Sequence, residues 1–249
     1  MKKLLIVNVG LPPKPQLDAF GKFEQWAKNV IEAHRHPKSA NQAATIEFHD
    51  GINQPLPHSD HLAGVIIMGS LAMASDKEDW MLRLSQEIVH LVERSIPLLG
   101  ICFGHQLIAQ ALGGRVGYHP QGLEIGTIAI NKQPDAEHDP IFSGLPAQFD
   151  AQAVHYQSVL TLPEDAVHLA SSDFEPHHAY RVGECCWGVQ FHPEFTPQVM
   201  KLSLAGLQHE LPDDYERKQA AVKETHHARQ VLVNFAGLVE QQSQSLGAA

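Results

Sequence analysis

Short apolar runs alternate along the first half of the chain with stretches in which apolar residues recur every three or four positions. Residues 4–9 (Leu-Leu-Ile-Val-Asn-Val) are apolar but for one position and end at Gly10-Leu-Pro-Pro, a pattern that suits a strand buried on both faces. Residues 20–33 place Phe23, Trp26, Ala27 and Val30 on one side of a helix. Residues 45–49 and 64–69 (Gly-Val-Ile-Ile-Met-Gly) predict a second and a third strand. Residues 78–95 form an amphipathic helix through Trp80, Leu84, Ile88, Leu91 and Val92. Residues 97–102 predict a fourth strand, and residues 106–112 a compact helix ending at Gly113-Gly114, where glycine suits a helix C-terminus. This alternation predicts a doubly wound α/β fold, a mostly parallel central sheet with helices on both faces.

From Gly117 the texture changes. Residues 125–130, 151–155, 167–171, 179–182 and 187–192 are short β-prone pieces separated by Pro, Gly and Asp, which predict antiparallel β-hairpins and edge strands added to the main sheet. Beyond Pro197 the pattern is helical again, and Leu232, Phe235, Ala236 and Val239 form a stripe expected to dock on the body. Residues 241–249 are small and polar and are expected to fray. With no internal repeat and no low-complexity linker, a single domain over residues 1–249 is expected.

Composition narrows the choice of function. The chain has 18 Lys and Arg against 28 Asp and Glu, a formal charge of −10. That argues against a nucleic-acid or anionic-membrane surface, because holding phosphate needs a basic patch. No stretch approaches the roughly 18 apolar residues of a membrane-spanning helix, and the apolar start is too short, and lacks the cleavage site, for a signal peptide. Three cysteines, two of them adjacent (Cys185 and Cys186), are too few for a disulfide framework and point to a reducing, cytoplasmic setting. Cys185 and Cys186 are read as core packing. The 17 histidines are scattered and match no zinc-site spacing, so no metal and no cofactor are expected.

Two segments carry chemistry. In Gly100-Ile-Cys102-Phe-Gly104 an apolar strand runs straight into a helix, the arrangement of a nucleophile elbow with Cys in place of Ser. The turn must be sharp, so glycine stands two residues to either side. The helix N-terminus favours thiolate over thiol, and the N–H of Phe103 can face a developing oxyanion. The second segment is Trp187-Gly-Val-Gln-Phe-His192-Pro-Glu194-Phe. A thiol nucleophile needs an imidazole to hold the thiolate and protonate the leaving group, and the imidazole needs an acceptor to fix its tautomer. His192 and Glu194, two apart on an extended backbone, can project to the same side.

Gly-Ile-Cys-Phe-Gly-His-Gln together with Val-Gln-Phe-His-Pro-Glu-Phe resembles the class I (triad) glutamine amidotransferase family, and in particular is similar to the amidotransferase domain of GMP synthetase. The resemblance runs from about Lys3 to about Met200, roughly four-fifths of the chain, with C-terminal helices expected over 201–240. It implies the family's flavodoxin-like fold, with Cys102 as nucleophile, His192 as base and Glu194 as orienting carboxylate. Gln106 falls where the family contacts bound glutamine, and His155-Tyr156-Gln157-Ser158 resembles the segment that closes over the substrate's α-amino and carboxylate end. Where the family has Gly-Gly-Pro, this chain has Met68-Gly69-Ser70. Gly69 matches the second glycine, which implies an oxyanion hole formed by the Gly69 and Phe103 amides. The substituted neighbours imply a different loop flexibility or substrate choice.

The resemblance implies hydrolysis of glutamine's side-chain amide through a γ-glutamyl thioester, with ammonia passed to a synthetase partner. No Gly-x-x-x-x-Gly-Lys-Ser/Thr loop for ATP occurs in the chain, which places the acceptor on another polypeptide. Two alternatives stand beside it. One is a stand-alone γ-glutamyl hydrolase or peptidase with the same three residues. The other is a binding or regulatory protein keeping the fold, against which an intact Cys–His–Glu set argues.

Overall fold

The first apolar run forms β1 (Lys3–Asn8). Leu4 and Ile6 pack into one core and Leu5 and Val7 into another, because successive side chains of a strand point to opposite faces. A strand covered on both sides needs apolar residues at every position, hence an unbroken run where a half-exposed strand would alternate. The computed structural model describes residues 2–34 and 44–247. After β1 come α1 (Lys14–Phe20), α2 (Phe23–His34), β2 (Thr45–Asp50), β3 (Leu62–Ile67), α3 (Asp79–Glu93), β4 (Leu98–Ile101) and α4 (Phe103–Ala111). The second half contributes β5 (Arg115–Tyr118), β6 (Glu124–Lys132), β7 (Gln148–His155), β8 (Gln157–Thr161), β9 (Ala166–Ser171), β10 (Ala179–Val182) and β11 (Cys186–Val189). It closes with α5 (Pro197–Gly206), α6 (Tyr215–Ala221) and α7 (His226–Gly247).

Among the described residues, nine strands form one sheet in the order β2-β1-β3-β4-β11-β10-β9-β6-β7, and β5 pairs with β8 in a separate ribbon. From β2 to β11 the neighbours are parallel, and from β11 outward every pairing is antiparallel. The sheet is thus the expected doubly wound α/β core, lengthened by hairpins. Trp26 and Ile31 of α2 share a core with Leu232 and Phe235 of α7 on one face. Leu84 and Ile88 of α3 join Leu107 and Ile108 of α4 on the other. The α7 stripe docks as expected, close enough that a Cβ on Gly64 of β3 would meet Val239 at 2.6 Å.

Several boundaries differ from the sequence reading, each for a local reason. Residues 20–33 are not one helix: Gly21, at φ 79°, separates α2 from α1, which the apolar pattern did not predict. The helix expected over 106–112 begins at Phe103, directly after Cys102. The strand expected over 187–192 ends at Val189, after which Gln190 N–H donates to the His178 carbonyl and His192 N–H to the Gln152 carbonyl, both at 2.8 Å. His192 therefore stands in a turn rather than on extended backbone. Residues 241–247, expected to fray, continue α7, and residues 248 and 249 lie outside the described residues.

Candidate active site

β4 delivers Cys102 to the N-terminal end of α4 within a single residue. Cys102 has φ 51° and ψ −101°, a region that a side chain adopts only when its surroundings force it. A Cβ on Gly100 would lie 2.4 Å from the Gly104 carbonyl, and one on Gly104 would lie 2.3 Å from the Ile67 carbonyl oxygen. Only glycine fits either position, which is the physical content of the Gly-x-Cys-x-Gly spacing. The elbow is held from both sides: Cys102 N–H donates to the Val189 carbonyl at 2.8 Å, and the Cys102 carbonyl accepts from Gln106 N–H at 3.1 Å.

His192 Nδ1 donates to Glu194 Oε1 at 2.8 Å, and both side chains are buried. A carboxylate can only accept, so Nδ1 carries the proton and Nε2 is the nitrogen left for chemistry; it has no hydrogen-bond partner among the described residues. The imidazole ring stacks on Phe195 with centroids 4.0 Å apart. Burial pulls the His192 pKa down, but the Glu194 carboxylate and the neighbouring Cys102 outweigh it and push it up to about 10. The Cys102 sulfur itself contacts the Val154 carbonyl at 3.8 Å. Gly69 lies over the pair: a Cβ there would meet His192 Cε1 at 3.1 Å and Cys102 Cβ at 3.7 Å.

Phe103 is the first residue of α4, so its N–H has no partner within the helix. Gly69 N–H is likewise without a partner among the described residues. The loop after β3 is pinned rather than loose. Met68 is fully buried and its N–H donates to the Val7 carbonyl at 3.1 Å, while Ser70 Oγ donates to the Val9 carbonyl at 2.7 Å and accepts from Ala72 N–H at 3.1 Å.

Cys102, His192, Gln106, His155, Tyr156 and Gln157 all line one cleft of about 580 Å³. Gln106 Nε2 donates to the Gln157 carbonyl at 2.7 Å and to Gln190 Oε1 at 2.9 Å. Both its N–H groups are thereby committed, and only its Oε1 is left to meet a ligand. Gln157 is likewise tied through its side-chain amide to Ser75, at 2.6 and 3.2 Å. Tyr156 donates to Glu210 at 2.6 Å, and burial followed by that carboxylate pushes its phenol up to about 12. Ser158, in contrast, is buried in β8 with an unpartnered hydroxyl and does not line the cleft. Cys185 and Cys186 are buried, and Cys186 opens β11, where it packs in the core against α3 and α4.

The sequence pattern missed Gln190, Ser75 and above all Glu124. His155 is bonded at both ring nitrogens, Nδ1 to the Gln157 carbonyl at 3.0 Å and Nε2 to Glu124 Oε2 at 2.8 Å; His178 Nε2 reaches the same oxygen at 3.1 Å. Burial alone would raise the Glu124 carboxyl, but the hydrogen bond from His155 and the adjacent His178 imidazole hold it well below the usual carboxylate range. Glu124, His155 and His178 are also the described group whose donor atoms, all within 4.8 Å of one another, could hold a metal ion. Both ring nitrogens of His155 have a partner, whereas neither ring nitrogen of His178 makes an aligned hydrogen bond among the described residues. An acid directly before the apolar run of β6 was the one signal that could have singled it out.

A sulfur on a strained elbow, an imidazole, a carboxylate behind it and two free amides can together perform acyl transfer from an amide. The chain matches the family model of class-I glutamine amidotransferases over residues 27–207. It is 34% identical over 143 residues to γ-glutamyl peptidase 5 of Arabidopsis thaliana, covering 57% of each chain. It is 36% identical over 123 residues to one subunit of the glutamine-hydrolysing GMP synthase of Methanopyrus kandleri, covering 47% of this chain and 64% of that one. The chain thus spans less than two-thirds of the length of these relatives. Its fold matches a glutamine amidotransferase from Thermotoga maritima with a TM-score of 0.74 at 19% identity, over 96% of this chain and 98% of that one. Among the described residues no helix is long and apolar enough to cross a membrane. The protein belongs to the class-I glutamine amidotransferase family.

Proposed function

We propose that the chain hydrolyses the side-chain amide of glutamine or of a γ-glutamyl compound through a γ-glutamyl thioester on Cys102. The observation that carries this reading is the elbow, with Cys102 at φ 51° between two irreplaceable glycines and the His192–Glu194 pair beside it. The Cys102 thiol proton passes to His192 Nε2 as the sulfur attacks the γ-carbonyl carbon, and the carbonyl oxygen takes up negative charge facing the Gly69 and Phe103 amides. The C–N bond breaks as His192 Nε2 gives its proton to the departing nitrogen, while Glu194 holds the ring. Water then attacks the thioester and gives a proton to His192 Nε2; the C–S bond breaks, glutamate leaves, and His192 returns that proton to the Cys102 sulfur. Gln106 Oε1 is an acceptor suited to the substrate's α-ammonium.

Where the liberated nitrogen goes separates two readings within the family. Likeness to a GMP synthase supports a glutaminase that passes ammonia to a synthetase on another polypeptide, in the cytoplasm. Likeness to a γ-glutamyl peptidase, and a cleft of about 580 Å³, within the range of roughly 300–1,000 Å³ that takes drug-sized ligands, favour a stand-alone hydrolase of larger γ-glutamyl compounds. Purified protein assayed for amine or ammonia release from glutamine and γ-glutamyl compounds tests both. Cys102→Ala is expected to lower turnover by about 10⁶-fold, as for other triad nucleophiles. Substantial activity in that variant would end the assignment.

A further inference from the structure

We infer that the cleft is built for a γ-glutamyl amide whose leaving amine is apolar and uncharged. This rests on Cys102 as the nucleophile and deepens that reading. Among the described residues, no Asp, Glu, Lys or Arg side chain lines the cleft. Its lining residues divide into two chemical sets. Gln106, Tyr156 and Gln157, from α4 and the β7–β8 turn, form a polar end. Pro13, Pro15, Phe23, Leu202, Ala205 and Leu207, from the starts of α1 and α2 and from α5, form an apolar arm.

The position of the proton donor decides which half of the substrate faces which end. His192 must reach the leaving nitrogen. Its ring stacks on Phe195, Phe195 packs on Trp26 with centroids 5.6 Å apart, and Trp26 packs on Phe23 at 5.1 Å. The leaving amine therefore departs along the aromatic side, and the glutamyl half lies toward Gln106. Of the two polar residues in the arm, Gln16 Nε2 donates to Ser203 Oγ at 2.7 Å and to the Val199 carbonyl at 3.3 Å, and Ser203 Oγ donates to the Val199 carbonyl at 3.2 Å, which leaves Gln16 Oε1 as an acceptor there. The rest of what the arm offers an amine substituent is hydrocarbon. An ammonium would lose its water there for one neutral amide oxygen and no carboxylate, whereas each buried methylene is favourable. The reaction is γ-glutamyl–NH–R plus water to glutamate plus R–NH₂, with the C–S bond of the thioester formed and broken in between.

The test compares γ-glutamyl-butylamide with γ-glutamyl-(4-aminobutyl)amide, equal in carbon number and differing in a terminal ammonium, with glutamine and γ-glutamyl-methylamide alongside. Wild-type protein is expected to cleave the butylamide with a kcat/KM at least about 10-fold above that of its charged partner, and above the methylamide. Leu202→Glu, which puts a carboxylate in the arm, is expected to bring the butyl-to-aminobutyl ratio below one; a ratio within one variant does not depend on how much of it folds. Turnover of glutamine or the methylamide with a wild-type ratio near one or lower overturns the inference and leaves the role of Cys102 standing. No turnover of any of the four, together with no γ-glutamyl adduct on Cys102 by intact mass, overturns both.

Discussion

Gly104→Ala puts the elbow under direct strain. The added Cβ would sit 2.3 Å from the Ile67 carbonyl oxygen, 3.0 Å from its carbon and 3.1 Å from Ile67 Cβ, where ordinary contact begins at about 3.4 Å. Two of these atoms are backbone, so no side chain can swing away, and the end of β3 must part from α4 by 3.4 − 2.3, or about 1.1 Å. Overpacking of this kind costs about 1–3 kcal/mol, which for a chain of this length lowers Tm by roughly 2–12 °C. Ile67 stands two residues before Gly69 and Gly104 two after Cys102, so the same displacement separates the sulfur from the loop amide opposite it. A misplacement of about 1 Å costs on the order of 10²-fold in turnover. Thermal melts followed by circular dichroism, with kcat/KM on glutamine and a γ-glutamyl amide, read both effects. Gly237→Ala is the control: the site is inside α7 with nothing within 4 Å, and the variant is expected to gain about 0.5–1 kcal/mol. A Gly104→Ala protein with wild-type Tm and kcat/KM would refute the elbow as the source of the glycine requirement.

An electrophilic glutamine analogue is expected to label Cys102 within a brief exposure and spare Cys185 and Cys186, whose thiols burial pushes up; peptide mapping showing equal modification of the three would contradict this. The Glu194 carboxylate is the strongest influence raising His192, so Glu194→Gln is expected to move the alkaline limb of kcat/KM down from near pH 10. The raised pKa also means that the contribution of His192 to stability is full below its ordinary 6.5 and lost as pH rises toward about 10. Wild-type protein should melt lower at pH 10 than at pH 7, and Glu194→Gln should show a smaller difference. Glu124→Gln leaves His155 and His178 without their anion, a loss of about 3–5 kcal/mol for a broken buried pair, and is expected to raise KM more than it lowers kcat. Because the Glu124 pKa is depressed, its stabilisation is present above about pH 4.5 and lost on acidification, so the variant should show a flatter acid side in thermal melts.

Much of this protein was determined by the sequence alone, wherever the physics is local. An unbroken apolar run in residues 4–7 demands burial on both faces, and the Leu232–Val239 stripe demands a surface to dock on. The elbow is local in its spacing: Gly100, Cys102 and Gly104 lie within five residues and the turn itself excludes a side chain at Gly100, whereas Gly104 is required by Ile67 of β3, a contact only the packing supplies. His192 and Glu194 are two residues apart and bond directly, so their pairing needed no long-range knowledge. What only the tertiary structure decided is non-local. Periodicity reports that a strand is buried but not beside what, so β11 lying parallel to β4, which brings the turn carrying His192 toward Cys102, could not be read from either segment. Glu124 meets His155 across a strand pair and His178 from farther along the chain, and no spacing rule links the three. The apolar arm joins the start of α1 to α5, nearly two hundred residues later, through Gln16 and Ser203. Residue pattern determined the reactive groups, because each is set by its nearest neighbours in the chain; packing decided the shape and polarity of the cleft around them, because its walls come from segments that meet only when the sheet closes.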